Sequence, residues 1–111
     1  MTDETVETIA FALRLKPGSE AEYKRRHDTI WPEMKETLLA SGILHYEIYL
    51  EGESGLLFAH MRCRRGMQRD MDHPVMRRWR TYMADILVQE GERPWRRPLP
   101  LMFVLDAADS G

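Results

Sequence analysis

One cysteine, Cys63, stands in 111 residues. A single thiol cannot close an internal disulfide, so no bridge staples the fold and nothing points to an oxidising compartment. Cytoplasmic residence is the expectation. No apolar run approaches the ~20 residues that cross a bilayer, so no membrane partner is expected. The start, Met1-Thr-Asp-Glu-Thr-Val-Glu7, is acidic and lacks the basic and apolar regions of a secretory signal. There is no internal repeat and no low-complexity segment. The histidines outside the motif described below, His45, His60 and His73, are scattered without ligand-like spacing, so no metal site is read from them. Cys63 has no histidine beside it to activate a nucleophile and reads as a buried apolar residue. Acids are scarce in one stretch: ten of the sixteen cationic residues are arginines between Arg62 and Arg97, a span holding five acids. That basic half suits a solvated or subunit-facing surface better than a nucleic-acid face.

The remaining composition, 43% hydrophobic and 31% charged with a net charge of −2, describes an ordinary globular chain. Its length allows one domain over residues 1–111, with an ordered core over about 8–105 and fraying ends. From Thr8 to Leu15, Ile9, Phe11, Leu13 and Leu15 alternate with smaller or polar residues, which predicts a strand. Lys16-Pro17-Gly18 ends it, and Ser19 is placed to cap a helix whose first turn carries Glu20 and Glu22. Tyr23, His27 and Ile30 follow at helical spacing until Pro32, which restricts Trp31 and breaks the helix. A second helical run, with Met34 and Leu38, closes at Gly42. Leu44, Tyr46, Ile48 and Leu50 alternate along a second strand, Glu51 to Gly55 forms a hairpin loop, and a third strand covers about Leu56 to Cys63. Pro74, capped by His73 or Asp72, opens a long helix with a buried stripe of Met76, Trp79, Met83 and Ile86. The stretch from Leu87 to Pro98 reads as a loop, and Leu99 to Leu105 as a last strand.

Strand, broken helix, strand, strand, helix, strand is the order of an α+β, ferredoxin-like antiparallel sheet with helices on one face. The other face of such a sheet has no helices to cover it. Because Leu56, Leu57, Phe58 and Ala59 put apolar side chains on both faces, that face is expected to meet a partner, most economically in a homodimer.

The chemistry concentrates in Tyr23-Lys-Arg-Arg-His27-Asp-Thr-Ile30-Trp31-Pro32. Four residues apart on a helix, Tyr23 and His27 share a face, which sets a proton-transferring imidazole beside a hydroxyl-bearing ring. Such a pair suits the handling of a polar ring such as a sugar. By spacing alone, Tyr23, His27, Tyr46 and Trp79 also describe packing residues.

The run Glu22-Tyr23-x-x-Arg26-His27-x-x-Ile30-Trp31-Pro32-Glu33, with Tyr46-x-Ile48-Tyr49-Leu50, Asp72-His73-Pro74-Val75-Met76, Trp79 and Met83-Ala84-Asp85-Ile86, resembles the L-rhamnose mutarotase family from about Ile9 to Leu87. The resemblance implies the dimeric α/β barrel, a ferredoxin-like variant, and an isomerase that interconverts sugar anomers without a cofactor. It implies that His27 is the proton donor, that Tyr23 and Tyr46 contact the sugar, and that Trp79 is the first of two adjacent sugar-contacting tryptophans. The second tryptophan is Arg80 here, and the family's polar loop after the last helix is replaced by Gln89-Glu-Gly-Glu-Arg-Pro-Trp95-Arg-Arg. The sugar that this pocket prefers is therefore open, as is the second proton-transfer group, for which Tyr23, a water and Glu33 are candidates. Two other functions fit the fold class. A monooxygenase or haem-binding barrel lacks the Tyr-to-Pro run, and an RNA-binding sheet would need more exposed rings than Phe58 supplies on its third strand.

Overall fold

The computed structural model describes residues 5–66 and 73–107. Among them, β1 (Val6–Arg14), α1 (Glu20–Asp28), α2 (Pro32–Ala40), β2 (Ile43–Glu51), β3 (Leu56–Arg64), α3 (Pro74–Met83), β4 (Gln89–Glu90), β5 (Arg93–Pro94) and β6 (Arg96–Pro98) follow in that order. The main sheet runs β2-β3-β1-β6 with every pairing antiparallel, the ferredoxin-like arrangement. One sheet face meets the helices through Phe11, Leu15, Leu57, Ala59, Met61 and the fully buried Cys63. Thr8, Ala10, Arg14, Leu56, Phe58 and His60 alternate onto the other face.

Proline places the helices. Trp31 is extended (φ −59°, ψ 135°) and Pro32 holds the first turn of α2, where its missing N–H costs nothing. Pro74 does the same for α3, capped by His73, whose side chain accepts a hydrogen bond from the Val75 amide at 3.2 Å. Asp72, the other candidate cap, lies outside the described residues. Ser19 occupies the cap position of α1, but its side chain makes no capping hydrogen bond.

Four expectations need correction. Leu44 does not share the face of Tyr46: a bulge between Ile43 and His45 leaves it unpaired, so Ile43 is buried and Leu44 is exposed. Without that extra residue, Ile43 and Tyr46, three apart, would point to opposite faces. The last helix is shorter than its apolar stripe, ending at Met83; Ile86 is buried from the turn that follows. The stretch read as a loop holds the β4–β5 hairpin and β6, because Trp95 N–H donates to the Val88 carbonyl and Arg96 to Pro98 pair with β1. Leu99 to Leu105, read as the last strand, is not a strand. After the Leu99 amide bonds the Ala10 carbonyl at 2.9 Å, the segment leaves the sheet and its side chains are exposed.

The hairpin between β2 and β3 depends on Gly55, which has φ +75° and hydrogen-bonds Leu15 through its carbonyl. A Cβ there would sit 2.8 Å from the Leu15 carbonyl oxygen. Gly55→Ala is expected to cost at least about 1–2 kcal/mol for the left-handed backbone alone. A thermal melt should show this as a clear drop in Tm.

Candidate active site

Between the helix layer and the sheet lies a cavity of about 920 Å³. Tyr23 and His27 reach it from α1, Tyr46 from β2, and Trp79 and Arg80 from α3. All five residues singled out from the sequence thus line one cavity. Glu33 does not line it; its carboxylate is exposed and sits 3.3 Å from the Arg78 guanidinium.

Helix geometry sets the first pair. The Tyr23 and His27 rings are 4.3 Å apart, and His27 Nδ1 lies 3.0 Å from the Tyr23 carbonyl oxygen. A carbonyl only accepts, so Nδ1 carries the hydrogen and Nε2 remains to exchange protons with an occupant of the cavity. Burial lowers the His27 pKa below its ordinary value, opposed by the Tyr23 carbonyl and by Asp28. Burial also raises the Tyr23 phenol, and it pushes Tyr46 up to about 12 against the pull of the Arg96 charge. Both phenols therefore stay protonated at neutral pH, as hydrogen-bond donors and acceptors.

A cluster of aromatic rings holds Trp79 beside His27. The Trp79 ring stands edge-on to His27 at 5.4 Å and to Trp31 at 5.1 Å, and Tyr82 lies 5.6 Å from Trp79 and 5.4 Å from Trp31. Trp31 thus braces Trp79 from behind, using the helix break that Pro32 imposes. Trp95 does not stand in for the tryptophan that Arg80 displaces. Its ring lies 4.9 Å from the Arg14 guanidinium and 4.5 Å from that of Arg97, outside the cavity lining.

Two contributors were missed from the sequence. Arg26, 8% exposed, donates to Glu22 (2.6 Å), to the Tyr82 carbonyl (2.8 Å) and to both oxygens of Asp85 (2.9 and 3.1 Å), locking α1 to the end of α3. Its partners feel it: Glu22, held first by Arg25 and then by Arg26, is pulled down to about 2, and Asp85 is lowered by Arg26. The long-range pair was hidden because Arg26 and Asp85 are 59 positions apart. Arg96, from the stretch read as a loop, lines the cavity with its guanidinium 4.0 Å over the Phe11 ring. No group of three or more His, Cys, Asp or Glu side chains among the described residues is placed to hold a metal.

The family model for L-rhamnose mutarotase matches residues 8–105. The chain belongs to the L-rhamnose mutarotase family. It is 47% identical over 105 residues to an L-rhamnose mutarotase of Verminephrobacter eiseniae, covering 92% of this chain and 99% of that protein. It is 44% identical over 110 residues to one from Burkholderia orbicola, covering 91% and 100%. The crystal structure of an L-rhamnose mutarotase from Formosa agariphila superposes with a TM-score of 0.80 at 31% identity, over 90% of this chain and 99% of that one. A candidate antibiotic biosynthesis monooxygenase from Nitrosomonas europaea shares only the fold, at 10% identity and a TM-score of 0.57, over 89% and 90%. Family membership thus separates this chain from the monooxygenase and RNA-binding alternatives. No helix among the described residues is long and apolar enough to cross a membrane.

Proposed function

We propose that this chain interconverts the α and β anomers of L-rhamnose or a related deoxy sugar, with His27 delivering the proton that opens the ring. The observation that carries the proposal is the placement of His27: it lines the cavity, and its Nδ1 lies 3.0 Å from the Tyr23 carbonyl oxygen, which leaves Nε2 for proton exchange. Mutarotation needs a proton on the ring oxygen and one taken from the anomeric hydroxyl; the C1–O5 bond breaks, the aldehyde rotates, and O5 adds back to the other face. Protonated His27 supplies the first proton and takes it back as the ring recloses, and a water receives the second, because the Tyr23 phenol already carries its proton and the exposed Glu33 does not line the cavity. Tyr23 and Tyr46 hydrogen-bond the sugar hydroxyls, and Trp79 offers its face to the apolar side of the ring. No redox step or covalent intermediate is needed, so the reaction requires no cofactor. The chain acts as a single domain and a homodimer, in a cytoplasm that suits its one buried, unbridged thiol. Saturation-transfer NMR on L-rhamnose tests the activity: faster magnetisation exchange between the anomeric protons on adding protein supports it, and an unchanged rate refutes it.

Arg80 is the residue we assign to sugar choice. A guanidinium favours a substrate hydroxyl where a tryptophan favours a methyl group. Arg80→Trp is expected to raise the exchange rate of L-rhamnose relative to L-mannose, which carries a C6 hydroxyl, by roughly tenfold. A panel of L-rhamnose, L-fucose, L-lyxose and L-mannose measured on both proteins checks it.

A further inference from the structure

Two departures from the family pattern, well separated in sequence, meet in one place. Arg80 stands on α3 where the second tryptophan is expected, and Arg93 and Arg96 belong to the stretch that replaces the family's polar loop. All three line the cavity that holds His27. Both departures thus bring guanidiniums to the same wall of the site.

Sheet register turns Arg96 inward. It pairs with Leu13 across the β1–β6 ladder, and directly opposed residues share a sheet face. Leu13 packs into the core on the helix-covered face and lines the cavity, so Arg96 points the same way. Its guanidinium lies 4.0 Å over the Phe11 ring, and its charge is felt at the Tyr46 phenol. Arg96 is exposed, and no carboxylate among the described residues forms an ion pair with it.

The acids of the lining do not neutralise this wall. Asp28 is held by Lys24 at 2.9 Å. Glu47 alternates away from Tyr46 onto the open sheet face, where it accepts from the Tyr49 hydroxyl and lies 3.4 Å from both His45 and His60. Glu20 opens α1, about 10 Å along the helix axis from His27. It is the remaining acid of the lining among the described residues, and it faces three guanidiniums. A cleft biased to one sign concentrates ligands of the other.

The matching ligand must keep a free anomeric carbon and a ring oxygen for His27. A carboxylate in place of the C6 methyl group leaves C1, O1 and O5 untouched and presents two coplanar oxygens. A guanidinium fork is built for that geometry. We infer that the cavity also admits sugars whose C6 is a carboxylate, with Arg96 binding the anion and the charges of Arg80 and Arg93 supporting it. The ring opens and recloses by the same two proton transfers. The inference rests on the mutarotase reading above and deepens it by naming a further substrate class for the same cavity.

Three sugars that differ only at C6 test it: L-rhamnose carries a methyl group, L-mannose a hydroxymethyl group and L-mannuronate a carboxylate. Saturation-transfer NMR at about pH 7, where a carboxylate is ionised, gives kcat/KM for each above its uncatalysed exchange. The wild-type protein should prefer L-mannuronate to L-mannose by roughly tenfold or more. Added sodium chloride should shrink that preference while the ratio of L-rhamnose to L-mannose holds. Arg96→Gln should lower the preference by roughly tenfold, and Arg96→Lys should restore only part of it, because an ammonium cannot reproduce the fork. The salt dependence of the wild-type protein decides the matter even if a variant fails to fold. Exchange of L-rhamnose without a preference for L-mannuronate over L-mannose overturns the inference and leaves the mutarotase standing. So does a preference that salt or Arg96→Gln leaves intact. A protein that accelerates none of the three sugars removes the mutarotase reading and this inference with it.

Discussion

His27→Ala is expected to slow anomer exchange by ~10²–10⁴, the usual contribution of one general acid–base group. The protein should remain folded, because His27 is half-buried at the cavity wall and its one hydrogen bond goes to the carbonyl of its own helix. Exchange of L-rhamnose anomers by saturation-transfer NMR, with a circular dichroism melt beside it, separates lost chemistry from lost fold. Wild-type rates in the alanine variant would remove His27 from the mechanism. The pH profile adds a signature that a packing role would not give. Burial holds the folded pKa below the ordinary ~6.5, and a donor acts only while protonated. Exchange should therefore rise as pH falls from 8 toward 6 and level off below the folded pKa. Stability moves the other way: the unfolded chain protonates first, so below about pH 6.5 the fold loses the contribution of a neutral His27. Opposite slopes of activity and Tm over the same window identify one buried imidazole as the source of both, and His27→Ala should flatten both.

The local pattern carried most of the site. Tyr23 and His27 met because residues four apart on a helix must meet, and Pro32 announced the break on which Trp31 now braces Trp79. Tyr46 faces the cavity for a reason that strict alternation does not contain: the bulge at Leu44 resets the parity of β2, and a one-residue insertion has no mark in hydropathy. Arg96 was missed because a strand of three residues, two of them arginine and one proline, has no apolar face to read. Its pairing is dictated by the neighbouring strand rather than by its own side chains. Leu99 to Leu105 failed in the opposite sense. Its composition is that of a strand, but strand formation needs a partner, and beyond the Leu99–Ala10 hydrogen bond no strand among the described residues pairs with it.

Arg26 offers the second large effect, and it lies outside the residues that contact the cavity. Its guanidinium makes four hydrogen bonds, to Glu22, to the Tyr82 carbonyl and to both Asp85 oxygens, and its side chain is 9% exposed. The Tyr82 ring lies beneath it at 4.5 Å. By contrast Lys24 and Asp28, 76% and 60% exposed, form an ion pair in open solvent that contributes little. Arg26→Met keeps the aliphatic stem and removes the charge. It is expected to cost about 2–3 kcal/mol, because charge-assisted hydrogen bonds are lost while the two carboxylates are exposed enough to be rehydrated. Lys24→Ala should move Tm by no more than a degree or two, consistent with a loss of about 0.3 kcal/mol. Arg26→Lys should recover little of the loss, since one ammonium cannot span a carbonyl and two carboxylates on different elements. Arg26 joins the helix that carries Tyr23 and His27 to the end of the helix that carries Trp79. Its removal should therefore lower kcat for anomer exchange well below 30 °C, where the variant is still folded, with the His27 pH profile unmoved. A variant that melts early yet exchanges L-rhamnose at the wild-type rate would reduce Arg26 to a structural tie with no hold on the geometry of the site.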